Sequence, residues 1–101
     1  MTRAAQFVSY GEIPVDGSSE AVAYTGTAGT SAAMPANTSV VRVTLTTNGF
    51  ISFGTAPTAV ADGTDVFMAA GVIEYFPLPA GHKVSAIQSA SAGTMYVTPM
   101  A

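Results

Sequence analysis

Apolar and polar positions alternate at period two along much of this chain, and nowhere do they recur at the three- and four-residue spacing of an amphipathic helix. The clearest run is "SVVRVTLTTNGFISFG". Val41, Val43 and Leu45 share one face there, and Val40, Arg42, Thr44 and Thr46 the other. Asn48-Gly49 follows, a pair that tolerates positive φ in a tight turn, before Phe50 to Phe53 leads back. The pattern predicts a β-hairpin over Ser39 to Phe53.

Further strands are expected at Asp65 to Ala69 and Val72 to Leu78, stretches rich in β-branched and aromatic residues. Others are expected at His82 to Gln88, Thr94 to Thr98 and Glu20 to Thr25, and a weaker one at Ala5 to Tyr10. Gly71, Pro79-Ala80-Gly81 and "SASAG" supply the turns between them. "GTAGTSAAMPAN", Gly26 to Asn37, reads as a flexible connection. Pro77 marks an edge strand or a strand end, because proline cannot donate to a ladder.

Seven to eight short strands, with turn signals every ten residues or so, predict an all-β fold: an antiparallel β-sandwich or small jelly-roll-like barrel. The expected core is Val41, Val43, Leu45, Ile51, Phe53, Phe67, Ile73, Tyr75, Val84, Ile87, Met95 and Val97. At 101 residues the chain is the size of one domain. Residues 1–19 are expected to form an extended N-terminal arm.

Composition changes the picture in one respect. Charged residues make up 9% of the chain, against roughly 25% in ordinary soluble domains. Ala, Thr, Ser and Gly take their places. Such a surface costs little to desolvate and loses few rotamers on burial, which suits a protein packed against other chains.

The formal charge of −3, with only three basic residues, leaves no patch for a phosphate backbone, so no nucleic-acid partner is expected. The chain has no cysteine, which excludes disulfides and thiolate chemistry. The N-terminal residues lack the apolar run of a signal peptide, and the longest apolar stretch, "VFMAAGVI", is too short to span a bilayer. The expectation is therefore a cytoplasmic site of synthesis and no membrane partner.

Candidate chemistry is sparse. His82 is the single histidine and sits at a turn beside Lys83, without a nucleophile or orienting carboxylate in evident relation to it. "GTAGTS" lacks the lysine of a phosphate-binding loop. Asp62 and Asp65 in "DGTD" are too few for calcium, which takes six to eight oxygen ligands. The tyrosines and phenylalanines are dispersed as in core and interface filler. No enzyme, cofactor or metal is expected.

Three phrases in order, "VVRVTLTTNGFISFGTAPTA", "AGVIEYFPLPAGHKVSAIQ" and "GTMYVTPM", resemble small β-rich virion structural proteins of tailed bacteriophages. The similarity runs over Ser39 to Thr98. It implies a capsid decoration or cement protein that binds and stabilises the major capsid protein shell. The implied partners are the major capsid protein and further copies of the chain itself. The implied location is the capsid surface of a virion assembled in the bacterial host cytoplasm.

Within that reading, the soft loop Gly54, Thr55, Ala56, Pro57, Thr58, Ala59, Val60 and Ala61 is the expected partner contact. Its small side chains allow close approach, and Pro57 limits the entropy lost on ordering. Two alternatives stay open: a tail, neck or fibre-base component, and a small carbohydrate-binding β module with an aromatic-lined polar pocket.

Overall fold

A computed structural model describes residues 18–101 of the chain. The strand expected over Ala5 to Tyr10, and all but the last two residues of the expected arm, lie outside the described residues. Among the described residues eight strands follow one another: β1 (Glu20–Tyr24), β2 (Gly29–Thr30), β3 (Val40–Leu45), β4 (Gly49–Gly54), β5 (Val66–Met68), β6 (Ile73–Pro77), β7 (Lys83–Gln88) and β8 (Gly93–Met100). No helix among the described residues is long and apolar enough to cross a membrane.

The strands form two four-stranded sheets, ordered β1-β8-β3-β6 and β2-β7-β4-β5, and every neighbouring pair is antiparallel. Every connection except β4–β5 passes from one sheet to the other. Two Greek keys interleaved in this way make the eight-stranded jelly roll. The all-β sandwich expected from the alternation is thus the fold.

The period-two pattern explains which face each strand buries. Val41, Val43 and Leu45 of β3 point inward, as do Met95 and Val97 of β8 and Val22 and Tyr24 of β1. Ile51, Met68, Val84 and Ala86 face them from the second sheet, while Met34 and Leu78 join the same cluster from connecting segments. Phe53 and Phe76, 4.8 Å apart between ring centroids, pack against the side of this core.

Three expected core residues are on the outside: Phe67 is 50% exposed, Ile73 47% and Tyr75 58%. On β6 the inward positions are Glu74 and Phe76, so the strand lies one residue out of phase with the expectation. Ile87 is half-buried on the outer face of β7 and pairs with Phe50.

The hairpin expected across Asn48-Gly49 is not formed. β3 and β4 belong to different sheets, and Thr46 to Asn48 is the corner between them. Gly49 does not have positive φ. What demands glycine there is a close approach: a Cβ would lie 2.6 Å from the carbonyl oxygen of Ile87. Asn48 fastens the corner, accepting the Ala70 N–H on Oδ1 at 2.8 Å and the Ser89 N–H on its carbonyl at 3.0 Å.

The Gly26 to Asn37 connection is more structured than its composition suggests. It contains β2, and it buries Ser31 and Met34. Both prolines within strands sit where a missing donor does little harm. Pro77 ends the edge strand β6, and Pro99 lies beyond the Glu20–Val97 pair where β1 stops.

Candidate interaction surface

Among the described residues neither hollow gathers catalytic groups, so the candidate site is the surface that the two sheets and their loops present. Among the described residues no group of three or more His, Cys, Asp or Glu side chains is placed to hold a metal ion. His82 stands half-buried in the β6–β7 turn, its Nδ1 buried without a hydrogen-bond partner among the described residues.

The loop from Gly54 to Ala61 leaves β4 and folds back over the outside of its own sheet. Ser85 of β7 is fully buried, although its neighbours Val84 and Ala86 already occupy the inward face. The loop covers it: the Ala59 N–H donates to Ser85 Oγ at 3.0 Å, and Ala59 is itself buried. Thr30 Oγ1 reaches the same oxygen at 3.4 Å.

Thr55, Ala56, Thr58, Val60 and Ala61 remain exposed, with Pro57 half-buried between them. The loop tip is tied by carboxylates. Asp65 Oδ2 accepts the Val60 N–H at 2.8 Å, while Asp62 Oδ1 accepts the Thr64 hydroxyl at 2.6 Å and the Thr64 N–H at 3.0 Å. The Thr64 hydroxyl, and then its N–H, hold the Asp62 carboxyl below the usual carboxylate range. These aspartates fold the chain upon itself. The loop therefore has one face anchored to its own core and one face free.

A second region is the outer face of the β1-β8-β3-β6 sheet. The register aligns Ala21, Tyr96, Thr44 and Ile73 in one row, and Thr98, Arg42 and Tyr75 in the next. Ser19 Oγ meets Thr98 Oγ1 at 3.0 Å beside that second row. A shallow hollow of about 450 Å³ opens there, lined by Arg42, Thr44, Tyr96 and Thr98 with Ser19, Glu20, Ala21 and Val97. The Glu20 carboxylate is turned toward the Ala32 N–H, at 3.0 and 3.3 Å from its two oxygens.

The corner loops at one end of the sandwich frame a smaller hollow of about 290 Å³, lined by Thr46, Thr47, Asn48, Ala70 and Ser89 to Ser91. Tyr24 braces this end from the core. Its hydroxyl donates to the Thr47 carbonyl at 2.7 Å and accepts the Thr47 N–H at 3.2 Å.

Sequence reasoning picked out the loop but missed both the Arg42 hollow and the apolar outer positions. The signal for the hollow was present: Arg42 lies at the polar phase of the best alternating strand, and Tyr96 at the polar phase of β8. Together Val60, Val66, Phe67, Val72, Ile73, Tyr75 and Tyr96 put large apolar side chains in solvent, each at least 41% exposed. Phe67 is stacked edge-on against Phe50, with centroids 5.6 Å apart. Comparison of the chain with protein-family models, curated proteins and solved structures finds no match.

Proposed function

We propose that this chain is a virion structural protein of a tailed bacteriophage, of the capsid decoration or cement type, which binds and stabilises the major capsid protein shell and contacts further copies of itself. The observation that carries the reading is the surface. It combines large exposed apolar side chains with very few charges, on a jelly roll whose described residues bring together no catalytic constellation. The jelly roll is shared by capsid and lectin domains alike, so the fold is compatible with the reading without selecting it. A tail, neck or fibre-base address uses the same surface logic.

The free face of the Gly54 to Ala61 loop is the proposed contact with the shell. Because Ala59 anchors the loop to Ser85, substitutions at Ala56 and Thr58 address the contact without removing the anchor. The test is quantitative mass spectrometry on purified heads and tails. Recovery with heads at a copy number comparable to the capsid subunit supports a cement protein. Recovery with tails at a few copies moves it to the tail, neck or fibre-base reading, and absence from both refutes a virion role. In a binding assay with purified heads, Ala56→Arg with Thr58→Glu should abolish attachment while leaving the circular dichroism spectrum unchanged.

One observation favours a second reading. Tyr96, 48% exposed, stands over the Arg42 hollow among the hydroxyls of Thr44, Thr98 and Ser19. An aromatic face ringed by hydroxyls and one guanidinium suits a carbohydrate. Glycan-array binding lost on Tyr96→Ala would support it.

A further inference from the structure

The two long edges of the β1-β8-β3-β6 sheet are treated differently. The β1 edge is covered by its own chain: a Cβ on Gly29 would lie only 2.0 Å from the Ala23 carbonyl oxygen, so the crossing segment presses directly on that strand. The same segment is held again where the Ala32 N–H donates to Glu20. Among the described residues no strand pairs with the outer edge of β6.

The register determines which backbone groups that edge offers. The Thr46 N–H bonds to the Thr94 carbonyl, so the even-numbered residues of β3 direct their groups toward β8 and the odd-numbered ones toward β6. Two bonds at the ends of β6 agree with this: Gly71 N–H to the Leu45 carbonyl, and Leu78 N–H to the Ser39 carbonyl. Glu74 and Phe76 therefore bond inward to Val43 and Val41. Ile73 and Tyr75 direct both N–H and C=O away from the sheet, and Pro77 directs a C=O alone. A proline is tolerated at 77 because its missing donor falls on the open side.

We propose that this edge is a self-association site, where β6 of a second copy pairs antiparallel about a two-fold axis at Tyr75 and joins two sheets into one of eight strands. The proposal rests on the homo-oligomer part of the reading above and names its interface. The register is selected by chemistry already in the strand. An axis at Tyr75 lets the two Tyr75 residues exchange a pair of bonds, and lets each Ile73 N–H reach the Pro77 carbonyl of the mate. An axis at Glu74 would set two carboxylates directly opposite each other, and like charges so placed destabilise a sheet. An axis at Phe76 would oppose Tyr75 to a Pro77 that has no N–H to give, halving the bonds.

The chosen register also continues the exposed outer face, with Ile73 and Tyr75 extending across the axis beside Tyr75 of the mate. Since the β1 edge is covered, pairing stops at two copies. Such an isologous contact closes upon itself instead of growing into a fibre.

The chain has no cysteine, so engineered thiols report the register cleanly. Hydrogen-bonded antiparallel partners have Cα atoms about 5.5 Å apart, within reach of a disulfide. Tyr75→Cys should therefore form a covalent dimer with oxidised glutathione, which takes up the two electrons as the new S–S bond forms. Ile73→Cys sits about 13 Å along the strand from its own mate in this register and should stay monomeric under the same treatment. In sedimentation velocity the parent protein should run as a dimer, and Tyr75→Lys as a monomer with an unchanged circular dichroism spectrum.

A monomeric parent, an uncrosslinked Tyr75→Cys, or equal crosslinking at Ile73→Cys would each overturn the proposal. The assay uses isolated protein, so its failure is separable from that of the virion reading. A dimer missing from particles sinks only the virion reading, and a particle protein that is monomeric alone sinks only the edge pairing.

Discussion

Gly29→Ala probes the point where the chain presses hardest on itself. The added Cβ would meet the Ala23 carbonyl oxygen at 2.0 Å and Val22 Cγ1 at 3.1 Å, where real Cβ contacts are essentially never closer than 3.0 Å. The oxygen belongs to the backbone of β1, so no side-chain rotation relieves the clash. Either the crossing segment lifts by about an ångström or β1 shifts against β8, a rearrangement of the kind that costs about 1–3 kcal/mol. For a domain of this size each kcal/mol moves the melting temperature by about 4–8 °C, so a cost of about 2 kcal/mol lowers it by about 8–16 °C.

Gly26→Ala is the matched control, because its only neighbour is Gln88 Nε2 at 3.9 Å. It should leave the melting temperature unchanged or raise it, since alanine reduces the freedom of the unfolded chain by about 0.4–1 kcal/mol where the backbone permits. The assay is thermal unfolding followed by circular dichroism at equal protein concentration, because a dimer's melting point depends on concentration. A Gly29→Ala protein melting within about 2 °C of the Gly26→Ala control would refute the close approach. The same variant has a second readout. Lifting the segment bares the β1 edge, and a sheet open at both ends should assemble beyond the dimer.

Other expectations follow from single contacts. Ser85→Ala removes the acceptor for the buried Ala59 N–H and should cost about 1–3 kcal/mol in urea unfolding. It should also raise amide exchange across the loop, and an unchanged midpoint would show that the loop is not anchored there. Tyr24→Phe keeps the ring in the core but breaks the hydroxyl's bonds to Thr47, for about 1–2 kcal/mol. Its effect should concentrate at the Thr46 to Asn48 corner in chemical-shift maps. The Asp62 carboxyl is depressed, so the stability it lends the loop tip is complete above its unfolded value, near 3.8, and is lost as pH falls through the lower folded value. The Thr64 amide shift should titrate with a midpoint below 3.8, and a midpoint at or above 3.8 would contradict the bonds to Thr64.

Alternation along β3 and β8 was sufficient to place Val41, Val43, Leu45, Met95 and Val97 in the core, because a strand central in its sheet and open on one side writes its burial into every second residue. It failed on β6 for a physical reason. At a sheet edge the inward positions are only half-covered, so Glu74 is accommodated there while Ile73 and Tyr75 stand in solvent, and the hydrophobic signal inverts. The sheet partner of a strand was equally invisible. Asn48-Gly49 satisfies the local chemistry of a hairpin, yet a corner between sheets also needs a short linker and a side-chain cap. Only the closeness of Gly49 to the Ile87 carbonyl distinguishes the two. The Gly54 to Ala61 loop was legible as a soft segment, but its anchorage through Ser85 depends on a contact 26 residues away in the chain.

The same asymmetry that misled the sequence reading bears on what the molecule can join. A jelly roll has four strand edges, and here two are short: β2 has two residues and β5 three. Of the longer pair, β1 is sealed by Gly29 and Glu20, while β6 carries Glu74 and Pro77, two residues of the kinds that usually blunt an edge. Their positions do something narrower than blocking. Glu74 excludes one register by charge and Pro77 weakens another by its missing donor, so a strand left open to any partner becomes selective for one alignment with itself. Replacing Glu74 with Gln should remove that discrimination. In the Glu74→Gln background, Tyr75→Cys crosslinking should fall as the population divides between axes at positions 74 and 75. Crosslinking undiminished from the Glu74 parent would mean that charge at position 74 does not set the register.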